Sequence, residues 1–496
     1  MKRIFIIATI SLLTIFSISI FVPDTAYARP GGGHSYSNDS GSSGSDSDDY
    51  GDSDYSSGGG GGNPWIVLPL VITMFILVIY GPKFLSKRRE NLGITSTRII
   101  SITKLNKVKS EIKKLKKADP NFSETLFLDF VALLFHRHYS WLFSPEYNKL
   151  SVFMPQELID ASENAKIKSK LSEIVIGAIY ISEIKEFEGK QTILLEIQAN
   201  FTQTINGKRT RFGLTDRWRF FRFVGVQSLE PEKMRELSCL NCGASLSFNK
   251  SGKCESCNTA VENGEKQWAV DILNRLTTPV FKTSGLIHYA LEKGTKYRTV
   301  FQSDLESSKS IFAKNHNLNW DEWQTKFNTQ IATEYFFNIY DAWTMNKLEI
   351  VRNLLSDNIF VSWSFWIDNY KKEGLNNKLD NVSIKKVEFV KVDIDRFYES
   401  ATVRIHASCF DYVENKDGKL EGGSKEKLRE FSEYWTFIRR TGVEKDSYDY
   451  GTCPNCGAIA DKMGQSGICE YCNTKISNGD FSWVVAVVTQ DEVYKG

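Results

Sequence analysis

Asp216-Arg217-Trp218-Arg219-Phe220-Phe221-Arg222 and Glu433-Tyr434-Trp435-Thr436-Phe437-Ile438-Arg439 follow one pattern: an acid, a tryptophan two residues on, aromatic or β-favouring neighbours and a closing arginine. Each stands shortly before a four-cysteine set. Cys239, Cys242, Cys254 and Cys257 read CxxC, eleven residues, CxxC, and Cys453, Cys456, Cys469 and Cys472 repeat it with twelve between. After each set comes another tryptophan-centred run, Gln267-Trp268-Ala269-Val270 and Ser482-Trp483-Val484-Val485. Two copies of one unit, about 215 residues apart, thus make up most of the chain after its N-terminal region.

The cysteine spacing is the sharpest chemical signal. Two knuckles, each presenting two thiolates from one tight turn, surround a tetrahedral Zn²⁺ with Zn–S distances of about 2.3 Å. Eight of the nine cysteines are consumed this way. Turn residues follow where a knuckle needs them: Gly243, Gly457, Asn258 and Asn473. With four protein ligands the metal has no open position, so two structural zinc ions are expected, neither of them hydrolytic. A disulfide framework is the alternative in an oxidising compartment, and spacing alone leaves iron open. Cys409 lies in an alternating run from Ala401 and reads as a small buried residue.

Working outward from the cysteines, each unit opens with aromatic helical sequence. Phe127, Phe130, Leu134 and His138 recur at helical spacing within 122–143, and Phe327, Ile331, Tyr335 and Ile339 within 320–343. Strand-like runs come next: 174–184, 192–205 and 215–224, then 382–392, 401–413 and 431–439. Asn206-Gly207 reads as a hairpin turn, with Lys416-Asp417-Gly418 at the corresponding place. Helices followed by an antiparallel meander predict an α+β class: two tandem domains, each with N-terminal helices on a curved antiparallel sheet and a zinc ribbon inserted between strands. The boundaries are 119–275 with a ribbon at 237–260, a linker at 276–304, and 305–490 with a ribbon at 451–475.

The N-terminal region is of another kind. Lys2 and Arg3, an apolar run from Ile4 to Val22 and the small-x-small Ala26-Tyr27-Ala28 read as a signal peptide over 1–28, with an uncleaved anchor as the alternative. Residues 29–63 are mostly Gly, Ser, Asp and Tyr with no aliphatic run, and are expected to be a disordered acidic tail. The uncharged stretch Trp65–Tyr80 is expected to be a transmembrane helix over 64–82. Lys83, Lys87, Arg88 and Arg89 follow it, so the positive-inside rule predicts a single-pass cell-membrane protein, its tail outside and its C-terminal domains cytoplasmic.

The segment 83–118 ends in a lysine-rich helix. Lys104, Lys107, Lys109, Lys113, Lys114, Lys116 and Lys117 surround a stripe of Leu105, Val108, Ile112 and Leu115. The helix reads either as attachment to an anionic leaflet, at about 1 kcal/mol per lysine, or as the first domain's opening helix with a solvated charged face.

In its order of membrane helix, lysine-rich helix, aromatic helices, curved sheet and the Glu433-Tyr434-Trp435-Thr436-Phe437 strand, the chain resembles the Tim44-like family. The Gly/Ser-rich stretch and membrane helix resemble bacterial members, some with a zinc ribbon. The resemblance runs from about residue 100 to 490 as two copies and is fuller in the second. It implies a cone-shaped fold like that of nuclear transport factor two, an apolar pocket, and a role in membrane association, transport or protein docking. It carries no catalytic residues.

Composition bounds the function further. Basic and acidic residues balance at 62 to 60, so the chain as a whole is no nucleic-acid binder by charge, and the ribbons show no consistent basic face. Hydrophobic residues at 41% exclude wholesale disorder. No GxSxG, HExxH or P-loop pattern follows the membrane segment, and His136 and His138 point about 200° apart on a helix. The expectation is a non-catalytic, membrane-anchored binding or scaffold protein engaging anionic lipid, an apolar ligand or a protein partner. An enzyme using the cone interior, or ribbon-mediated nucleic-acid binding, ranks behind it.

Overall fold

A computed structural model describes residues 102–164, 171–205, 208–235, 253–259, 262–277, 280–281, 294–446, 452–459 and 467–491, with 239, 241, 242, 244, 494 and 496 singly. The expected signal peptide, acidic tail, transmembrane helix and flanking basic residues lie outside the described residues. Among the described residues no helix is long and apolar enough to cross a membrane.

In the first half, α1 (Ile102–Ala118) and α2 (Glu124–Trp141) precede a 3₁₀ stretch (Pro145–Val152) and α3 (Gln156–Glu163). Ser123 caps α2 by accepting from the Leu126 amide at 3.3 Å, as an N-cap serine should. The sheet comprises β1 (Leu171–Phe187), β2 (Lys190–Ile205), β3 (Lys208–Phe223), β4 (Ala269–Thr277) and the short β5 (Val280–Phe281), with α4 (Pro231–Arg235) after β3. All pairings are antiparallel and the order is β1-β2-β3-β4, with β5 on β3. On β2 the alternate residues Ile193, Leu195, Ile197, Ala199 and Phe201 are buried, which fixes the face turned to the helices. Asn206 and Gly207 lie outside the described residues, but the ladder closes around them at Ile205↔Lys208. A second two-residue hairpin, Glu188-Gly189 with φ of 49° and 71°, joins β1 to β2.

The second half repeats the plan. Helices α5 (Leu305–His316), α6 (Trp320–Lys326), α7 (Thr333–Thr344) and α8 (Asp357–Lys372) precede β6 (Leu375–Ile394), β7 (Tyr398–Asn415), β8 (Leu420–Gly423), β9 (Arg429–Arg440) and β10 (Val484–Gln490). The order β6-β7-β9-β10 matches β1-β2-β3-β4, with β8 an extra short strand on β7. Register matches as well. Phe221 pairs with Ala269 and Arg219 with Ile272, a bulge falling at Asp271; Ile438 pairs with Val484 and Thr436 with Val487, the bulge falling at Ala486.

Packing shows the repeat again. The Phe127 ring lies 5.4 Å from Phe220 and 5.3 Å from Trp268, and Phe327 lies 5.3 Å from Phe437 and 5.2 Å from Trp483. Twelve residues on from Phe127, the Tyr139 hydroxyl donates to the Asp216 carboxylate, which also accepts from Trp218 Nε1 at 3.4 Å. Thirteen residues on from Phe327, Tyr340 donates to Glu433 at 3.4 Å, and Trp435 Nε1 donates to the same oxygen at 3.1 Å. A π turn over Phe327–Ala332 joins α6 to α7 and absorbs the extra residue. The closing arginines behave alike: Arg222 lies 4.3 Å over the Trp268 ring and Arg439 lies 4.6 Å over Trp483.

The outer face of the second sheet is covered by its own chain. Arg404, 1% exposed, donates to Tyr297 O and Thr299 Oγ1 at 2.9 Å and pairs with Asp491 at 2.7 Å. The Val300 amide donates to Tyr434 Oη at 2.9 Å, and the Tyr494 ring stacks on Tyr434 at 3.7 Å. Residues 297–304, expected as the end of a linker, are thus built into the second half. The halves also meet: Phe397 and Tyr398 belong to the first half's core, and Ser362 Oγ donates to Ile176 O at 3.4 Å.

Candidate metal centres

Each four-cysteine set is spliced into the crossover between the last two long strands of its half, β3 to β4 and β9 to β10. The knuckles form by short local bonds. Cys239 N donates to Ala244 O at 2.8 Å and Cys254 N to Thr259 O at 3.0 Å; Cys453 N donates to Ala458 O at 2.6 Å and Cys469 N to Thr474 O at 3.0 Å. Such a turn needs a left-handed residue just after its second cysteine. Asn258, Gly457 and Asn473 supply it with φ of 55°, 73° and 56°.

In each set the four sulfurs lie within 4.8 Å of one another. Cys239 Sγ stands 3.9 Å from Cys257 Sγ and Cys242 Sγ 3.9 Å from Cys254 Sγ; the second set gives 3.8 Å for Cys453–Cys472 and 3.7 Å for Cys456–Cys469. A tetrahedron with Zn–S bonds of about 2.3 Å has edges of about 3.8 Å, whereas a disulfide needs about 2.05 Å. The donor set therefore fits a metal ion such as zinc, held by four thiolates and closed to substrate.

Second-layer donors repeat too. Asn241 Nδ2 donates to Cys257 Sγ at 3.6 Å, and Asn455 Nδ2 donates to Thr474 Oγ1 at 2.9 Å. Hydrogen bonds from Thr259, then Asn241, pull the Cys257 thiol down to about 6. Asn455 and Thr474 pull Cys472 to the same value, so both thiols favour the thiolate that a metal needs. The signal for these residues was in the sequence, since both sets read Cys-x-Asn-Cys and Cys-Asn-Thr. What fastens the second ribbon to the body was not legible there. Lys475 Nζ bonds Asp357 at 2.6 and 2.8 Å, Ser477 Oγ donates to Asp357 at 2.9 Å, and buried Arg352 pairs with the same carboxylate.

Other candidate residues fall elsewhere. Cys409 is wholly buried on β7. His138 is buried, with Nδ1 2.8 Å from the Tyr147 hydroxyl, and burial pushes it down to about 3; burial pushes His136 down to about 4. In α1, Val108, Ile112 and Leu115 enter the first half's core, so the stripe proposed for a membrane is internal; Leu105 lies outside the described side chains. Lys107, Lys113, Lys114 and Lys117 are exposed, Lys109 and Lys116 half-buried, and the Lys104 side chain lies outside those described. Lys113 bonds Asp304 at 2.5 Å and Lys114 bonds Glu111 at 2.9 Å. Trp343, Trp363, Trp435 and Trp483 pack into the second half's core at under 2% exposure.

Residues 323–449 match the family model of the Tim44-like domain. The second half carries a Tim44-like domain. The match ends just before the second cysteine set. The first half is related to the Tim44-like half by strand order, register and the repeated tyrosine–carboxylate–tryptophan contact. A solved structure titled "Ntf2 like protein involved in plasmid conjugation" aligns over 59% of this chain and 81% of its own at 7% identity, with a TM-score of 0.14, too slight a likeness to carry weight. No curated protein matches the sequence.

Proposed function

We propose that this chain is a membrane-anchored, non-catalytic scaffold whose Tim44-like half and its first-half counterpart dock a protein partner beside the cytoplasmic leaflet, with two structural zinc ions. The observation that carries this reading is the closed four-thiolate geometry at the same strand crossover in both halves. A metal held so rigidifies a surface and leaves no site for a reacting water. The aromatic filling of the second half favours a partner bound outside over a lipid enclosed within. The exposed lysines of α1 support a further, salt-sensitive contact with anionic lipid that uses charge alone.

Native mass spectrometry of the full chain released from nanodiscs tests both parts. Two zinc ions without a lipid-sized adduct are expected, and a stoichiometric lipid would replace docking by lipid handling. Crosslinking to nanodisc lipid through Lys113 and Lys117 should rise with anionic lipid and fall between 50 and 500 mM salt, roughly as the screening length shortens. Equal crosslinking in neutral nanodiscs would remove the surface-charge contact.

A further inference from the structure

Sheet edges expose unpaired backbone groups, and natural sheets guard them with charge. Among the described residues, three of the four long edges follow that rule. β1 carries Glu183, Lys185 and Glu186, and β6 carries Lys378, Lys385, Lys386 and Lys391. β4 carries Asp271, bonded by Arg219 Nη2 at 2.8 Å, and Arg275. β10 reads Val484-Val485-Ala486-Val487-Val488-Thr489-Gln490 and has no charge. The register match makes the contrast pointed: Ala486 stands where β4 has Asp271, Gln490 where it has Arg275, and Thr436 where β3 has Arg219.

Part of the β10 edge is covered. Leu355 bridges Val485, the Ser356 amide donates to Val485 O at 2.9 Å, and Ser356 Oγ donates to Ala486 O at 3.3 Å. After the bulge at Ala486, Val487–Gln490 has β9 as its only strand neighbour among the described residues, and Val487 is 47% exposed.

We propose that the Val487–Gln490 edge takes an uncharged, extended peptide segment of a partner protein by strand addition. The proposal rests on the docking reading above and gives it a site. Main-chain bonds supply affinity in such a mode, and alternate β-branched or aromatic side chains beside Val487 supply selectivity. A second copy of the chain is the poorer occupant. Four residues span about 13 Å, too short an edge to bury the roughly 1,200 Å² of a stable dimer, whereas a single peptide strand needs no more.

The test uses the full chain in nanodiscs and labelled decapeptides Lys-Lys-X-Thr-X-Thr-X-Thr-Lys-Lys, X being Val, Ile, Phe or Tyr, each also made with alternate amides N-methylated. At least one member binds in fluorescence anisotropy, its N-methylated copy does not, and hydrogen exchange at residues 487–490 slows on binding. Val487→Lys and, separately, Ala486→Asp weaken binding at least tenfold while zinc content and circular dichroism stay as in the parent. Equal binding by parent and both variants overturns the edge site but leaves docking standing. Absence of binding by every peptide overturns the strand-addition site and removes this support for docking. Concentration-dependent dimerisation abolished by Val487→Lys assigns the edge to a second copy instead.

Discussion

Buried Arg222, 1% exposed, is held by the Asp119 carboxylate at 2.7 Å, which also accepts from the Ser228 hydroxyl at 2.7 Å and its amide at 3.0 Å. Removing one partner of a buried pair strands the other. Asp119→Ala should cost about 3–5 kcal/mol in urea unfolding, whereas Glu196→Ala, which releases the more exposed Arg217, should cost at most about 1 kcal/mol. Equal losses would mean that burial does not set the strength of these pairs. His138 makes a pH prediction with a definite sign. Its folded value of about 3 lies below the ordinary 6.5, so as pH falls through that window the unfolded chain takes up a proton that the folded chain refuses. Its contribution to stability falls by about 1.4 kcal/mol per pH unit as pH drops from 6.5 toward 3. The parent should therefore lose stability between pH 7 and 5 more steeply than His138→Gln, and parallel curves would refute the assignment.

The four-cysteine loop is the element on which the fold's chemistry concentrates. Its knuckles are made by residues within a few positions of one another, so each set should assemble and fail separately. Cys453→Ser should lower bound zinc from two ions to one and expose the β9–β10 crossover to protease, while 239–257 keeps its metal. Native mass spectrometry and limited proteolysis read the two effects together. Loss of both ions would show that the sets are coupled. Much of this element was legible in sequence: CxxC spacing dictates thiolate pairs, and the residue after each pair dictates the turn. The register of the strands was legible only coarsely. Five of the six expected runs fall inside longer strands and 215–224 overruns β3 by one residue, while β8 was missed, because Leu420-Glu421-Gly422-Gly423 has a glycine-rich text and is a strand only through its pairing with β7.

At the scale of the whole molecule the halves are not independent beads. Phe397, 5% exposed, lies in the first half's core although it belongs to the β6–β7 turn, and Arg396 Nη1 bonds Asn121 at 2.7 Å. Phe397→Ala should cost about 3–5 kcal/mol and speed hydrogen exchange in α2 as well as in the second half. Exchange confined to the second half would show two separately folding units. The same exchange profile reports whether the 297–302 segment, bonded to Arg404 and Tyr434, opens with the second sheet.

By itself the sequence determined what depends on neighbours: the duplication, the eight paired cysteines, the turn residues beside them and the helix-then-sheet order. Each follows from local spacing, because period, turn chemistry and metal geometry act over a few bonds. Only the tertiary structure decided which distant groups meet. It paired Arg222 with Asp119 across 103 positions and brought Lys475 to Asp357 across 118. It turned Val108, Ile112 and Leu115 of α1 inward and placed the uncharged β10 at a sheet edge. Those outcomes depend on where the chain returns after long loops, and burial rewards whichever apolar face and ion pair that return brings together.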